Sequence, residues 1–285
     1  MSGDGDAPRV AFQGARGAFS EEAAVKLLGA GARLVPRPTF ESLFAAVGEG
    51  AADLALAPIE NTLAGSVQKT YDLLLESPLR IAAEVVIPVR HFLVGCPGAT
   101  FEQIRTVESH PVALAQCERF FAAHPDLRRL ASEDTAGSVR EVVRRADPTR
   151  AAIAGRFAAE TYGGHILREH LEDHRENYTR FVLLTPSPRV SDEADKLSLV
   201  LKLAHRPGSL FHALEPLARR RLDLLKIESR PVRGEPWHYH FYLDLRAARG
   251  EAEAALAELR ERANDVRLLG HYPSAAEGRG VAGDA

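Results

Sequence analysis

Pro58–Val67 sets an acid and an amide side by side, Glu60 and Asn61, directly after the apolar run Leu54–Ala57. The run predicts a short buried strand. Ser66 follows where a helix N-cap is expected, ahead of apolar residues spaced along one helical face. A strand end that faces a helix N-terminus, with polar side chains between them, is typical of small-anion sites in α/β proteins. The alternative is a turn in which Asn61 and Ser66 only satisfy backbone groups.

Further polar side chains stand near the predicted starts of helices and strands. Three hydroxyls are candidate helix N-caps, at Ser20, Ser109 and Thr135. The hydroxyl and the free N–H groups of an N-cap can bind an anion, although capping alone also explains such residues. Thr179 opens a predicted strand, where a threonine most simply bonds to its own backbone. Gln116 falls in the body of a predicted helix, where glutamine is most often solvated.

The histidines and cysteines give no strong sign of a metal or thiol site. The two loose histidine groups are His238 with His240, and His165 with His170 and His174. Neither has the cysteine or carboxylate spacing of a strong metal site, so solvated or partly buried histidines are expected. His110 deserves more interest because it lies beside a predicted helix start. Cys96 and Cys117 lie in apolar contexts, which predicts buried free thiols and no disulfide.

Composition limits the kinds of function. The 285 residues, 45% hydrophobic and 26% charged, are typical of a globular protein that can bury a sizeable core. The formal net charge of −3 gives no basic footprint for nucleic acid, and no stretch is long and apolar enough to span a membrane. The first six residues are acidic and lack an apolar core, so they predict no secretory signal, and the expected location is cytoplasmic.

The elements that must position these side chains are short strands alternating with amphipathic helices as far as about Thr185. Such repeated βα units predict a mostly parallel sheet with helices on its faces. Helices are predicted to begin at Ser20, at Thr39, at Ser109-His110-Pro111 (running through Phe121), at Asp134-Thr135 and at Arg156. Residues 186–195 are polar and carry prolines, which predicts a linker. From Leu197 to Leu269 the order βαββαβ then predicts a ferredoxin-like unit.

Four motifs, in this order, carry a resemblance to a known family. They are Gln13–Glu21, Pro58–Val67, Ser109–Cys117 and Asn177–Phe181. Together they resemble the prephenate dehydratases and the related arogenate dehydratases. Gly208-Ser209-Leu210 and Glu228-Ser229-Arg230-Pro231 stand where the regulatory motifs of an ACT domain stand. The resemblance implies a catalytic domain at residues 8–186 and an ACT regulatory domain at residues 196–272.

The resemblance also implies a fold and a reaction. The fold class is α/β, with a two-lobed catalytic domain similar to type II periplasmic binding proteins and a ferredoxin-like βαββαβ ACT domain. The reaction is loss of water and carbon dioxide from prephenate, giving phenylpyruvate for L-phenylalanine biosynthesis, or from arogenate, giving phenylalanine. Because the ring becomes aromatic, the protein has only to hold the substrate and assist departure of the ring hydroxyl. No metal, nicotinamide or pyridoxal cofactor is implied.

By resemblance, catalysis is expected from Thr179, Asn61 and Glu60. Thr179 is expected to donate a hydrogen bond to the leaving oxygen rather than to transfer a proton. Asn61 can offer two N–H donors, and Glu60 would accept from the substrate or, when protonated, act as an acid. Substrate binding is expected from Ser20, Ser66, Ser109, Gln116, Thr135, Arg180 and Phe181. For Arg180, an ordinary salt bridge is an equal alternative to a bidentate contact with a carboxylate.

The ACT-like unit is expected to bind phenylalanine between two copies and to inhibit the enzyme, which implies a homodimer or homotetramer. The expected effector contacts are Gly208, Ser209, Leu210, Glu228, Ser229 and Arg230. A unit that only dimerises is the alternative. For the whole chain, a non-catalytic two-lobed sensor of amino acids is a second hypothesis, against which the intact Thr179-Arg180-Phe181 motif argues.

Several positions depart from the common bacterial pattern. Val112 replaces a usual glutamine, and Tyr178 stands where a smaller residue is common. Asn61–Ser66 and Asp134–Gly137 look more like the plant arogenate enzymes. These departures leave the choice between prephenate and arogenate open, with prephenate as the expected substrate, and they do not affect the reaction type.

Overall fold

The computed structural model describes residues 7–187, 190–232 and 234–275. It divides into two compact units. The first contains the chain up to Leu73 together with Val85–Phe181, and the second contains Leu74–Glu84 together with the chain from Val182 onward. The residues behind the prediction of no secretory signal lie outside the described ranges, as do Pro188 and Arg189 of the predicted linker.

The chain begins with a lobe built on parallel strands. Its elements are β1 (Arg9–Gln13), α1 (Phe19–Leu28), β2 (Arg33–Arg37), α2 (Phe40–Gly48), β3 (Leu54–Asn61), β4 (Gly65–Ser66), α3 (Gln68–Glu76) and β5 (Arg80–Pro88). β1 pairs in parallel with both β2 and β3. The apolar residues Val10–Phe12 and Ala55–Ala57 are completely buried, which explains why these two strands read as continuous apolar runs.

A second lobe follows, after which the chain returns to the first. The elements are β6 (Phe92–Gly95), β7 (Thr106–Ser109), α4 (Pro111–Ala115), α5 (Glu118–Ala123), β8 (Arg128–Ala131), α6 (Thr135–Arg145), β9 (Arg150–Ala154), α7 (Arg156–Tyr162), β10 (His165–Arg168) and β11 (Tyr178–Thr185). The first sheet has the order β2-β1-β3-β11-β5, with β4 beside β3, and the second has the order β10-β6-β9-β7-β8. β7 is parallel to β8 and β9, whereas β6 is antiparallel to β9 and β10. The predicted parallel pairing therefore holds at the centre of each lobe but not at β6 and β10.

Local capping explains where several helices start. Thr39 forms a capping box with Ser42, and the Asp134 carboxylate accepts a hydrogen bond from the backbone N–H of Gly137. Pro111 occupies the first turn of α4, where a missing N–H costs nothing. The helix starts predicted at Thr39 and at Asp134-Thr135 are thus confirmed.

Four predicted caps are wrong. Thr135 is the first helical residue of α6, whose N-cap is Asp134. Ser20 lies inside α1, whose N-cap is Ala18. Ser66 lies in the two-residue strand β4, opposite Glu60, because the chain forms a short hairpin before α3 begins. Ser109 ends β7, and the ring of His110 caps the next helix by accepting from the backbone N–H of Val112.

The helix predicted to run from this region through Phe121 is also wrong as a single element. It is broken into α4 and α5, with Gln116 as the C-cap of α4 and Cys117 as the N-cap of α5. The Asp173 carboxylate accepts from the backbone N–H groups of Glu118 and Arg119. These bonds satisfy donors that a continuous helix would have used internally, so the break is stabilised by a residue far along the chain.

The second unit has the predicted βαββαβ order. Its elements are β12 (Lys196–Lys202), α8 (Ser209–Arg219), β13 (Asp223–Pro231), β14 (Tyr239–Arg246), α9 (Arg249–Arg262) and β15 (Asp265–Tyr272). The antiparallel sheet has the order β13-β14-β12-β15. Leu197, Leu199, Leu243 and Leu245 are buried against apolar residues of α8 and α9, so one sheet face and two helices form a single core.

Candidate active site

A cleft of about 350 Å³ lies within the first unit, between its two sheets. Its first-lobe wall includes Gln13, Gly14, Phe19, Ser20, Asn61 and Thr179, and its second-lobe wall includes His110, Val112, Gln116, Glu133, Asp134 and Thr135. Gln13 and Asn61 end strands β1 and β3, and His110 directly follows β7. The cleft therefore lies at the carboxyl ends of parallel strands, where ligands of open α/β sheets bind. Its volume is at the lower end of the range of about 300–1,000 Å³ for small-molecule sites.

Asn61 and Thr179 meet on the first-lobe wall because β3 and β11 are neighbours in the sheet. The Asn61 Nδ2 atom donates to the Thr179 Oγ1 atom over 2.9 Å. The Asn61 Oδ1 atom accepts from the backbone N–H groups of Leu63 and Ala64, at 3.0 and 2.8 Å. Those contacts fix the orientation of the amide, since a backbone N–H can only donate. The structure thus brings together two of the three residues predicted to act in catalysis.

Glu60 and Arg180 form a different pair. Their side chains make an ion pair of 3.1 Å. Each residue is next in sequence to a member of the Asn61–Thr179 pair, and side chains alternate across a strand, so Glu60 and Arg180 lie on the opposite face of the sheet. Neither lines the cleft. Arg180 was predicted either to bind a substrate carboxylate or to form an ordinary salt bridge, and the structure shows the salt bridge.

Of the remaining residues predicted in the first lobe, one lines the cleft and two do not. Ser20 is 7% exposed and contributes to the cleft wall from inside α1. Ser66 is outside the lining, in β4. Phe181 is buried at 2% exposure and lies two residues beyond Thr179 on the same strand face, so it supports the wall from the core.

The second-lobe wall presents amide and hydroxyl groups at helix ends. Thr135 is the first residue of α6, whose N-terminal N–H groups attract negative charge. Gln116 caps the end of α4 and reaches the cleft from there. Ser109, in contrast, is completely buried, and its hydroxyl donates to the backbone carbonyl of Ile153 over 2.6 Å. Two of the three predicted second-lobe residues therefore lie in the cleft wall.

The glycine-bracketed loop between β1 and α1 closes one end of the cleft against α7. Gly17 has a φ of +81°, and a Cβ atom there would lie 2.9 Å from the Cα atom of Ala158. The Phe19 ring packs against Gly155, where a Cβ atom would lie 3.0 Å from the ring. Both glycines permit a close approach of loop and helix, which places Phe19 in the cleft wall.

Sequence reasoning missed Glu133 and His91, which also line the cleft. Glu133 follows β8 and precedes the N-cap of α6, so the strand-end rule that selected Asn61 could have found it. His91 lies between β5 and β6 in no motif, and only the folded structure reveals it. It is 1% exposed, and burial lowers the pKa of its ring, with Gln116 and Glu172 opposing that effect.

The cysteines are free and buried, as predicted. Burial raises the pKa of the Cys117 thiol far above its ordinary range, and nearby carboxylates, Asp173 first among them, add to this effect. The thiol is consequently protonated and unsuited to nucleophilic chemistry.

The second unit has its own cavity of about 220 Å³. Its wall contains Gly208, Ser209 and Leu210, together with aromatic and histidine side chains that the sequence analysis did not select: His205, Phe211, Trp237, His238, Tyr239 and Phe241. Gly208 has a φ of +81° ahead of α8. Glu228, Ser229 and Arg230 lie on the edge strand β13 and outside this wall. The second motif is nevertheless adjacent to the cavity, because Ser229 and Pro231 pair with the wall residues Phe241 and Tyr239.

Comparison with known proteins places this two-lobed cleft in a family. Residues 10–189 match the family model of prephenate dehydratase. An arogenate dehydratase/prephenate dehydratase 2 of Arabidopsis thaliana, a chloroplastic protein, is 40% identical over 95% of this chain and 74% of its own length. The chain belongs to the prephenate dehydratase family.

Two solved structures are similar over nearly the whole chain. Prephenate dehydratase from Arthrobacter aurescens, in complex with L-Phe, has a TM-score of 0.84 and 31% identity, covering 93% of this chain and 89% of that one. GqqA, described as a novel type of quorum quenching acylase, has a TM-score of 0.86 and 32% identity, covering 94% and 98%. The α/β fold with a ferredoxin-like C-terminal unit is thus shared by solved relatives.

Two kinds of feature are absent from the part of the chain that the structure describes. No helix there combines the length and apolar character required to cross a bilayer. No group of three or more His, Cys, Asp or Glu side chains arranged to hold a metal ion was found in the same ranges.

Proposed function

We infer that the protein catalyses the decarboxylating dehydration of prephenate to phenylpyruvate, a step toward L-phenylalanine. The observation that carries this inference is the 2.9 Å contact between Asn61 and Thr179 in the wall of a cleft of suitable size. Because the Asn61 amide donates to the Thr179 oxygen, the hydroxyl hydrogen of Thr179 is available for another acceptor. A leaving hydroxyl group of a bound substrate would be that acceptor.

The reaction requires little covalent participation from the protein. The bond between the ring and its carboxylate breaks, and carbon dioxide leaves. The electron pair enters the ring, and the bond between the opposite ring carbon and the hydroxyl oxygen breaks. The departing hydroxide takes one proton from the medium and leaves as water. Thr179 stabilises the negative charge that develops on this oxygen, an interaction that is stronger in the transition state than in the ground state.

The second-lobe wall would bind the carboxylate of the substrate side chain. Gln116 can donate from its amide nitrogen, and the first turn of α6 offers free N–H groups beside Thr135. Ser20 would add a hydroxyl from the opposite wall. Glu60, Ser66, Ser109, Arg180 and Phe181 would then support the cleft without touching the substrate, because they lie outside its lining.

Arogenate is a second candidate substrate. The charged side chains among the described cleft-lining residues include Glu133 and Asp134, and the Asp134 carboxylate is engaged by the backbone N–H of Gly137. A carboxylate at Glu133 would attract the ammonium group of arogenate, where prephenate has a ketone. The arogenate dehydratase relatives support the same possibility.

We propose that residues 8–186 form the catalytic domain and residues 196–272 a regulatory domain that binds phenylalanine, with the chain acting as a homodimer or homotetramer through that domain. The cavity at Gly208 and the complex of a relative with L-Phe support the effector. Exposed Leu225 and Ile227 on the edge strand β13 support association of copies. The two buried thiols suit a reducing cytoplasm.

The decisive experiment is incubation of the purified protein with each substrate. We expect phenylpyruvate from prephenate, and phenylalanine in addition if arogenate is accepted. Neither product from either substrate would contradict the dehydratase and favour an amino-acid sensor. Hydrolysis of acylated amines, measured in parallel because of the similarity to GqqA, is expected to be absent, since an amide donor rather than a base contacts the Thr179 hydroxyl.

A further inference from the structure

A continuous chain of side-chain hydrogen bonds runs from the cleft wall into the interior. Asn61 Nδ2 donates to Asn177 Oδ1 over 2.8 Å, and Asn177 Nδ2 donates to Gln116 Oε1 over 3.2 Å. The Gln116 Oε1 atom also contacts His91 Nε2 at 2.8 Å. Asn177 is completely buried, and His91 is almost completely buried. Loss of one hydrogen bond in this network would therefore leave a buried polar group without a partner, which destabilises the fold.

The donors and acceptors along the chain follow from its first member. The Asn61 amide is oriented by backbone N–H groups, so its nitrogen faces Asn177. Asn177 must then accept with its oxygen and donate with its nitrogen. Gln116 accepts that bond with its carbonyl oxygen, and a carbonyl oxygen cannot donate. His91 must therefore carry its hydrogen on Nε2.

The other ring nitrogen of His91 agrees with this assignment. Among the described residues, His91 Nδ1 has no hydrogen-bond partner, and it is buried. With the hydrogen on Nε2, the Nδ1 atom carries only a lone pair, so no ring N–H is buried without an acceptor. The ring is held in place by its neighbours, since the His91 backbone N–H donates to Glu172 Oε2 over 2.8 Å and Phe19 packs edge-on at 6.1 Å.

The assignment has consequences at both ends of the chain. At Gln116, two donors occupy the carbonyl oxygen, so only the NH2 group remains for a ligand, and a substrate carboxylate would meet donors rather than an acceptor. At Thr179, the oxygen accepts from Asn61, so its hydrogen points elsewhere. Gln116 and Thr179 therefore both turn hydrogen-bond donors toward the cleft. Donors are what an anionic substrate with a leaving hydroxyl requires.

We propose that His91 and Asn177 are positioning residues, which fix the hydrogen-bond polarity of Gln116 for the dehydratase reaction, while backbone N–H groups fix that of Asn61. This deepens the proposed function and depends on it. Asn177 lies outside the cleft lining, and His91, which lies in it, is only 1% exposed, so both are proposed to act through Gln116. Backbone N–H groups anchor the network at Asn61, Asn177 passes that orientation from the first lobe to the second, and His91 completes it at Gln116.

Steady-state kinetics of His91→Gln and His91→Phe test the proposal. Glutamine keeps an N–H donor near the position of Nε2, whereas phenylalanine keeps the ring but removes the donor. For His91→Phe we expect a rise of about tenfold in KM, which corresponds to the loss of one buried hydrogen bond to the substrate-binding Gln116. His91→Gln should recover most of that loss. The matched control is His124→Gln, because His124 bonds to the Phe120 carbonyl outside the cleft lining, and its kinetics should equal wild type.

Asn177→Asp tests the middle of the chain, since it keeps the acceptor for Asn61 and removes the donor to Gln116. Two acceptors would then face each other, and Gln116 would turn its oxygen toward the cleft. We expect a rise of about tenfold in KM, because the substrate carboxylate would meet that oxygen. Equal kinetics for wild type, His91→Phe and Asn177→Asp would overturn the proposal.

The protonated nitrogen of His91 can be observed without measuring activity. In wild-type protein with 15N-labelled histidine, we expect a protonated-type signal for Nε2 and an unprotonated-type signal for Nδ1 near neutral pH, assigned by the loss of the signal in His91→Gln. The opposite tautomer, or a doubly protonated ring, would overturn the proposal. If wild-type protein turned over neither substrate, the proposed function would fail, and the tautomer would still test the network.

Discussion

The Asn61 amide donates to the Thr179 hydroxyl over 2.9 Å, although 118 positions separate the two residues in the chain. The strands β3 and β11 are neighbours, and they bring the two residues together where β3 ends and β11 begins. Because the Thr179 oxygen accepts from Asn61, its hydrogen is directed elsewhere. The pairing of two strands thus prepares a donor for the leaving hydroxyl of the substrate.

Removal of the Thr179 hydroxyl should abolish most turnover. Thr179→Val keeps the shape of the side chain, and we expect kcat to fall by about 10²–10³, as for loss of a donor that stabilises a developing oxyanion. Thr179→Ser keeps the hydroxyl and should retain measurable activity. The rate of phenylpyruvate formation checks both, with circular dichroism as the control for folding. A Thr179→Val enzyme as fast as wild type would remove Thr179 from the mechanism.

Neutralising Glu133 should change substrate preference. Glu133→Gln removes the carboxylate proposed to contact the arogenate ammonium. The value of kcat/KM for arogenate should therefore fall by about tenfold. This is the effect of losing one exposed charge contact of about 1 kcal/mol or slightly more. The value for prephenate should stay equal or rise. The measurement is kcat/KM for both substrates with one enzyme preparation. Equal losses for both would show that Glu133 does not discriminate between them.

Gly208 should be needed for inhibition by phenylalanine. Gly208→Ala places a side chain on a backbone with φ of +81° at the edge of the cavity, 3.4 Å from the His212 ring. We expect the concentration of phenylalanine that halves the rate to rise about tenfold or more. Gly234→Ala is the control, since Gly234 has φ of +79° in the same unit but lies outside the cavity wall. Wild-type turnover that is unaffected by saturating phenylalanine would contradict the regulatory proposal.

The order of the elements could be predicted from sequence because apolar runs and helix periodicity record which faces are buried. The ferredoxin-like unit shows this best, since its six elements follow the βαββαβ order predicted for Leu197–Leu269. Local rules failed where tertiary contacts decide the outcome. Ser66 pairs with Glu60 in a hairpin, and Asp173 stabilises the break after Gln116. Neither contact leaves a signal in the sequence around the affected residue.

The site could be predicted only in part, for a related reason. Asn61, Thr179, Gln116 and Thr135 were found through motifs and strand ends, and the structure places them around one cleft. The alternation of side chains along a strand separates Glu60 from Asn61 and Arg180 from Thr179, which a motif of consecutive residues does not reveal. His91 is brought to Gln116 by the fold alone.

The buried ion pair between Lys196 and Glu84 should be important for stability of the second unit. The Lys196 Nζ atom lies 3.0 and 2.9 Å from the two Glu84 oxygens, and both side chains are nearly inaccessible. Lys196→Met leaves a buried carboxylate without its cation, and we expect a loss of about 3–5 kcal/mol in the free energy of unfolding. Denaturant titration measures it.

An exposed pair of the same chemistry provides the comparison. Lys69 and Glu41 form an ion pair at the surface, with side-chain exposures of 43% and 57%. Lys69→Met should leave the free energy of unfolding nearly unchanged, because water screens an exposed ion pair. The double variant Lys196→Met/Glu84→Gln should regain part of the loss because it removes the buried negative charge. Similar losses at the two sites would contradict the assigned role of burial.

His91 should make the fold sensitive to acid. Burial, the largest influence, lowers the pKa of the ring in the folded protein below the value of 6.5 for an ordinary histidine, while the bond to Gln116 and the charge of Glu172 oppose this effect. The Arg90 guanidinium and the His170 ring lie 3.7 and 3.6 Å from the Glu172 carboxylate.

The unfolded chain binds the His91 proton more tightly than the folded chain does. Titration of His91 therefore has no effect on stability well above pH 6.5, and it destabilises the fold increasingly as the pH falls from 6.5 toward the lowered pKa. His91→Gln cannot titrate. It should therefore be less stable than wild type at pH 8, where only its poorer packing counts, and the difference should shrink or reverse at pH 5. Urea unfolding of both proteins at the two pH values measures this change. A difference in unfolding free energy that is the same at both would show that the His91 pKa is not lowered by folding.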